Sequence, residues 1–140
     1  MNLFQNTLAI ILGFFFGCLV NYGLVFVGPY VIANPVDMSD VDSLQENMKL
    51  LKPVNFIFPF LGHALGTLAG AAVAARLAAS HPMIIAISIG VLFLSGGISM
   101  VIMVGGPLWF ILADLLLAYL PMGILGGMLA SRKRTETSAD

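Results

Sequence analysis

Four long apolar runs constrain this chain more than any other feature; they lie at 8–27, 54–75, 83–104 and 108–131. A bilayer core about 30 Å thick is crossed by about 20 residues of α-helix, and each run reaches that length. None of them alternates polar and apolar residues, as the strands of a transmembrane barrel do. We therefore predict an all-α fold, a bundle of four transmembrane helices. The predicted helices lie at about 4–28, 53–79, 82–104 and 107–131.

The composition leaves little room for a separate soluble domain. Charged residues make up 9% of the 140 residues and apolar residues 59%, whereas a soluble domain has about 25% charged residues. The predicted transmembrane domain takes up residues 1–131, and the polar tail at 132–140 is expected to be disordered and cytoplasmic. We expect the lipid bilayer as a partner. The net charge of −1 gives no reason to expect nucleic acid, which needs a basic surface.

The first connection between the runs is long and contains an amphipathic segment, predicted as a helix at 37–51. Ser39 or Asp40 can cap its start. Its apolar residues recur at steps of three and four: Met38, Val41, Leu44, Met48 and Leu51. Such a segment lies on the bilayer surface or over the mouth of the bundle. A mobile solvated loop is the alternative.

Basic residues near the helix ends set the expected orientation, because they favour the cytoplasmic side. The side that carries both termini has four of them, namely Arg76, Arg132, Lys133 and Arg134. The opposite side has two, Lys49 and Lys52, in a connection that also holds four acidic residues. We therefore expect a multi-pass protein with both termini in the cytoplasm.

Small residues recur every four positions in the first two predicted helices: Gly13 and Gly17 in the first, and Gly62, Gly66 and Gly70 in the second. Such stripes let two helix backbones approach closely inside a membrane. We expect the first and second helices to pack on each other within one molecule. A homo-oligomeric contact through the same stripe is the alternative.

Two residues of the fourth predicted helix are expected to shape its interior. Pro121 lies well inside the helix and should bend it, because its ring displaces a backbone hydrogen bond. Tyr119 is also deep in this run and needs a hydrogen-bond partner for its hydroxyl. The fourth helix is thus predicted to be bent rather than straight.

Three polar residues are predicted to lie at similar depths in the membrane. Counting 1.5 Å per residue from the helix ends puts Asn21 and Asp114 about 10 Å, and His63 about 15 Å, below the same surface. We therefore predict that Asn21, His63 and Asp114 meet in the bundle interior. Ionisable groups in a membrane are costly and commonly functional, so a proton relay or a polar solute site is one interpretation. A hydrogen-bonded clamp that fixes helix register is the other.

The sequence predicts no enzyme, cofactor or metal site. It has no nucleophile–base pair, metal-ligand cluster or phosphate-binding loop. Cys18 is the only cysteine, which excludes an internal disulfide and a redox pair within one chain. Met100 and Met103, with His63 and Cys18, offer soft ligands that suit Cu(I), but methionine in an apolar helix is far more often packing material.

The sequences LGHALGTLAG at 61–70 and GPLWF at 106–110, with Ala75, Arg76 and Pro121, resemble small four-helix bacterial membrane proteins of unknown function. The resemblance covers nearly the whole chain and implies a location in the bacterial inner membrane, but it implies no activity. Small multidrug transporters have a similar length, but they place a glutamate in the first helix, where this chain has none.

Two classes of function stay open on the sequence alone. The first is a small transport or channel subunit that uses the cluster of Asn21, His63 and Asp114. The second is a non-catalytic accessory or scaffold protein that packs against lipids or a larger membrane partner. A water-accessible cavity that reaches Asp114 would favour transport, whereas a fully packed interior would favour the accessory role.

Overall fold

The structure, a computed structural model, describes residues 2–33 and 43–137, the last six of them by their backbone alone. All regular structure in these residues is helical. The helices are α1 (Asn2–Val31), α2 (Leu44–Leu50), α3 (Ile57–Leu77), α4 (Pro82–Val104), α5 (Leu108–Leu117) and α6 (Leu120–Thr137). A 3₁₀ turn at Pro53–Phe56 leads into α3. The predicted all-α bundle is confirmed.

Four spans within the described residues are long and apolar enough to cross a membrane: Asn2–Val31, Pro53–Leu77, Pro82–Val104 and Leu108–Ser131. They are consistent with a multi-pass membrane protein. Large apolar side chains cover the outside of the bundle; Phe15 and Leu19 of α1, for example, are 67% and 66% exposed. Exposure on this scale would be unfavourable in water but is favourable in hydrocarbon.

The fourth span is broken, which differs from the single helix predicted at 107–131. The helix α5 ends at Leu117 and α6 begins at Leu120. Pro121 is the physical cause: it has no N–H to donate to the Leu117 carbonyl, and its ring crowds that oxygen. The backbone bond from Gly123 N–H to the Tyr119 carbonyl, 2.8 Å long, starts the next turn. The bend expected from Pro121 thus takes the form of an interruption just before it.

The other helix ends lie close to the predicted ones, with three differences. The first helix runs past the expected stop at Gly28 and includes Pro29. The second span begins as a 3₁₀ turn before it becomes α3. The backbone of α6 continues to Thr137, so it overlaps the tail that was predicted to be disordered, while 138–140 lie outside the described residues.

The helices α1 and α3 touch through their backbones. A Cβ atom added to Gly70 would lie 2.7 Å from the Gly13 carbonyl oxygen, and one added to Gly17 would lie 2.7 Å from the Gly66 carbonyl oxygen. At contacts this short, any side chain at these positions would force the two helix backbones to shift apart. The structure therefore places the predicted glycine stripes at a contact between two helices of the same molecule. Close backbone packing of this kind is the main source of helix association inside a bilayer.

One end of the bundle, at the α3–α4 turn, is filled with small side chains. Buried alanines there include Ala71, Ala74, Ala78 and Ala86. The side chain of Asn6 joins α1 to this turn: its Oδ1 accepts the Ala79 N–H at 2.9 Å, and its Nδ2 donates to the Ser80 hydroxyl at 3.0 Å. We call this the closed end of the bundle.

The helix α2 lies at the other end, which we call the α2 end. Its Gln45 side chain donates to the Met103 carbonyl oxygen at 2.9 Å, which ties α2 to the last turn of α4. The amphipathic segment predicted at 37–51 is therefore helical over 44–50 and packs over the bundle mouth. Residues 34–42 of the first connection, with the predicted caps Ser39 and Asp40, lie outside the described residues.

The α1–α3 contact predicts different effects for two glycine substitutions. Gly70→Ala forces a Cβ against the Gly13 carbonyl, so we expect the free energy of unfolding to fall by about 1–3 kcal/mol. Gly96→Ala in α4 is the matched control, because the added Cβ has no atom of another helix within 4 Å. That change should be neutral or stabilise by up to about 1 kcal/mol, since alanine is the better helix former. Titration of the folded protein with SDS in mixed micelles, followed by circular dichroism, measures both. Equal losses for the two variants would contradict the close contact.

Candidate functional site

Asp114 of α5 is a buried acidic residue, and 4% of its surface is exposed. Its Oδ2 accepts the Tyr119 hydroxyl at 2.8 Å. Its Oδ1 and Oδ2 lie 2.8 Å and 3.0 Å from Nδ1 of His63. A carboxylate has only acceptor sites, so two donors suit its ionised form. We call these three residues the His–Asp–Tyr cluster.

The break in the fourth span brings Tyr119 to Asp114. In a continuous α-helix, residues five apart lie about 140° apart around the axis and do not share a face. The regular helix α5 ends at Leu117, and the Tyr119 side chain turns back toward the carboxylate five residues earlier. Gly97 of α4 makes room for it: a Cβ added there would lie 2.5 Å from the Tyr119 hydroxyl oxygen. Tyr119 is consequently 1% exposed.

His63 of α3 is the member of this cluster that is partly exposed. Its ring stacks on Tyr119, with ring centroids 5.7 Å apart and planes at 29°. Nδ1 faces the carboxylate and therefore carries a proton, a tautomer assigned from the hydrogen-bond network. The other nitrogen, Nε2, has no hydrogen bond to a described residue. Every side-chain nitrogen or oxygen that is buried among the described residues does have a hydrogen-bond partner. Nε2 is therefore accessible, in keeping with a side chain that is 24% exposed.

Asn21 lies apart from the His–Asp–Tyr cluster. It packs against the glycine stripe of α3: Cβ atoms added to Gly66 and Gly62 would lie 2.9 Å from its Cβ and 3.2 Å from its Oδ1. No hydrogen bond joins Asn21 to His63 or Asp114 in the described part of the chain. The structure thus brings together two of the three predicted residues, and Tyr119 joins them where Asn21 was expected.

A cavity of about 410 Å³ extends from the α2 end down to His63 and Asp114. Leu44 and Met48 of α2 form part of its wall, together with apolar side chains of α1, α3, α4 and α5. Small-molecule sites in proteins have similar volumes and the same character, mostly apolar walls with a few polar groups at one point. Here the ionisable groups, the imidazole and the carboxylate, lie together at the bottom of the cavity, and Asn55 is a further polar residue of its wall.

Two of the four soft metal ligands suggested by the sequence line this cavity, and the other two do not. Met100 and His63 line it, but Met103 and Cys18 are not among its lining residues. Within the residues described, no group of three or more His, Cys, Asp and Glu side chains is arranged to hold a metal ion. The cavity is therefore best described by its hydrogen-bonding and ionisable groups.

The hydrogen bond between Tyr119 and Asp114 predicts a measurable coupling. Tyr119→Phe removes the hydroxyl and should cost about 1–2 kcal/mol of unfolding free energy. The double variant that combines Tyr119→Phe with Asp114→Ala should lose about 1 kcal/mol less unfolding free energy than the two single variants lose together. The reason is that Asp114→Ala has already removed the acceptor of the Tyr119 hydroxyl. Ser88 is the control, because its hydroxyl donates to the Ile84 carbonyl of its own helix. The losses of unfolding free energy from Tyr119→Phe and Ser88→Ala should therefore be additive. SDS titrations of the single and double variants give the coupling; additivity in both pairs would contradict the bond.

Comparisons with known proteins leave this site unassigned. No protein-family model, curated protein or solved structure matches the chain. The resemblance to small bacterial four-helix membrane proteins stays a prediction, and so does the inner-membrane location that it implies. Function is therefore inferred from the cavity and from the His–Asp–Tyr cluster beneath it.

Proposed function

We propose that this protein is a small transport subunit in which the cavity binds a solute and the His–Asp–Tyr cluster carries a proton linked to that binding. The observation that supports it is the cavity of about 410 Å³ that reaches a hydrogen-bonded histidine and carboxylate. A purely structural clamp between helices needs no space beside it. We assign no catalytic residue, cofactor or metal to the site.

The proton chemistry follows from the two nitrogens of His63. Nδ1 stays bonded to Asp114, while Nε2 is accessible and exchanges a proton with water in the cavity. The carboxylate stabilises the imidazolium when Nε2 is protonated, because opposite charges attract strongly in a low-dielectric interior. The cluster therefore alternates between two protonation states without moving its hydrogen-bonded frame.

Transport also needs access from the second side of the membrane. The cavity extends to the α2 end, which faces outward in the orientation proposed from the basic residues, and small residues fill the closed end. Tyr119 lies at the bottom, where α5 gives way to α6. Interrupted helices are common at the substrate sites of transporters, because they bend more readily than continuous ones. We propose that movement at this break opens the route toward the closed end.

An accessory role is the second candidate, and the outer face of α1 favours it. Tyr22, Phe26 and Tyr30 form a row of rings on that face, with centroids 5.9 Å and 5.7 Å apart. All three are more than half exposed. Such a face suits contact with lipid or with a larger membrane partner. An accessory role gives the cavity no function, so transport is the preferred proposal.

The transport proposal predicts solute-dependent proton movement. Proteoliposomes that contain a trapped pH indicator are given a panel of small amines, alcohols, phenols and carboxylic acids. At least one solute should change the internal pH faster than in empty liposomes. Asp114→Asn should lower that rate by about 100-fold, the usual contribution of a positioned proton-transfer group. Ser88→Ala, which lies outside the cavity wall, should leave it unchanged.

Two results would count against transport. Identical rates for the unmodified protein and Asp114→Asn would show that the carboxylate moves no proton. Rates equal to those of empty liposomes for every solute, with the protein folded and correctly inserted, would favour the accessory role. Circular dichroism and protease protection of the reconstituted protein establish folding and insertion.

A further inference from the structure

The cavity wall carries a charge pattern that selects among possible solutes. Asp114 and His63 are the ionisable residues that line it, and no lysine or arginine of the described chain does so. Lys49, on the neighbouring helix α2, is not part of this wall. Building on the proposed transport function, we infer that the solute is an organic ammonium ion, a protonated amine on an apolar body, and that it exchanges for the proton on His63.

The buried carboxylate needs one positive charge beside it. An isolated charge in a low-dielectric interior is costly, and a paired one much less so. In the proposed exchange, the protonated form of His63 supplies that charge while the site is empty; its Nδ1 lies 2.8 Å from Oδ1 of Asp114. An ammonium ion in the cavity repels the imidazolium, and Nε2 loses its proton to water. The neutral Nε2 then accepts an N–H bond from the ammonium, so one cation enters as one proton leaves.

A backbone carbonyl of the wall adds a further acceptor. Pro29 lies inside α1 and has no N–H, so the carbonyl of Val25, four residues earlier, lacks the donor that a regular α-helix would give it. Both residues line the cavity. Such an acceptor favours a solute that donates hydrogen bonds, as an ammonium group does. The Tyr119 hydroxyl is not a competing donor, because it is committed to Asp114.

Aromatic side chains of the same wall suit a cation with an apolar body. Phe56, Phe58 and Phe110 all line the cavity, and the rings of Phe56 and Phe110 lie 4.6 Å apart. The face of an aromatic ring attracts a cation and also packs well against hydrocarbon. A carboxylate solute would meet the negative charge of Asp114 with no basic residue to offset it. A neutral alcohol would fit but would leave the imidazolium in place and move no proton.

The pH dependence of this exchange depends on few groups. Asp114 of α5 and Tyr119 at the α5–α6 break are the titratable residues that face His63. The described residues that α1, α2 and α4 contribute to the cavity wall include none. Protons and ammonium ions therefore compete for one site, and lowering the pH should weaken ammonium binding.

The inference is tested by the binding of three probes that share a phenylbutyl group and differ in charge: phenylbutylamine, phenylbutanol and phenylbutanoate. Trp109 is the only tryptophan of the chain; its ring contacts Phe56 with centroids 5.5 Å apart, so its fluorescence reports occupancy of the cavity. For the full chain in detergent, the amine should bind about tenfold more tightly than the alcohol near neutral pH, as expected for about 1.4 kcal/mol of charge interaction. Its affinity should fall as the pH is lowered, by up to about tenfold per pH unit, because protons and ammonium ions compete for the same site. The affinity of the alcohol should not follow that slope.

Variants assign the effect to the site. Asp114→Asn should remove the preference for the amine, and Ser95→Ala, an exposed residue whose hydroxyl bonds its own helix at Leu92, should keep it. If Asp114→Asn does not give a monodisperse protein, His63→Gln replaces it, and the pH series on the unmodified chain is an independent test. Binding of the alcohol or the carboxylate as tightly as the amine overturns the ammonium class and leaves the transport proposal intact. Absence of binding by all three probes also overturns it; transport itself fails only if the proteoliposomes show no solute-dependent pH change.

Discussion

Inside hydrocarbon, each backbone N–H and carbonyl must find its partner within its own helix, and the rest of this structure depends on that constraint. Proline cannot meet it, because it has no N–H. Pro29 and Pro59 both line the cavity. Pro121 interrupts the fourth span and so brings Tyr119 to Asp114. Pro59 lies in the first turn of α3, where a proline removes no helical bond. The helical bonds lost at Pro29 and Pro121 thus lie beside the candidate site, as expected where irregular backbone is tolerated next to a cavity.

The two ends of the bundle are built on different packing rules. At the closed end, glycine and alanine let helices meet backbone to backbone, which maximises dispersion contacts where burial from water gives no driving force. At the α2 end, larger side chains such as Phe58 and Met100 line an open cavity. Rigid packing below and open space above give the His–Asp–Tyr cluster a firm base and an accessible upper side. A binding site needs both properties, because loosely held ligand groups lose affinity and selectivity.

The four spans were predicted well from the sequence, because hydropathy and length are enough to identify helices that are surrounded by the hydrocarbon of a bilayer. The sequence also predicted the meeting of His63 and Asp114, from their similar depths. Depth does not give rotation about the helix axis, however. Gly62 and His63 are consecutive but point about 100° apart, so the face of α3 that meets Asn21 is not the face that meets Asp114. The partner of Tyr119 was unpredictable for a related reason, since residues five apart come together only once the helix is known to break.

Tyr119 has its largest effect when His63 is neutral. With the imidazole protonated, the Asp114 carboxylate has a full positive charge 2.8 Å away and needs little else. Once Nε2 has lost its proton, the carboxylate keeps its charge in a buried place and depends on the neutral Nδ1–H and on the Tyr119 hydroxyl, also 2.8 Å away. Hydrogen bonds to charged groups are worth more than those between neutral groups. The Tyr119 hydroxyl is therefore most important at that stage of the proposed exchange, because it is then one of only two donors from the cluster that hold the carboxylate.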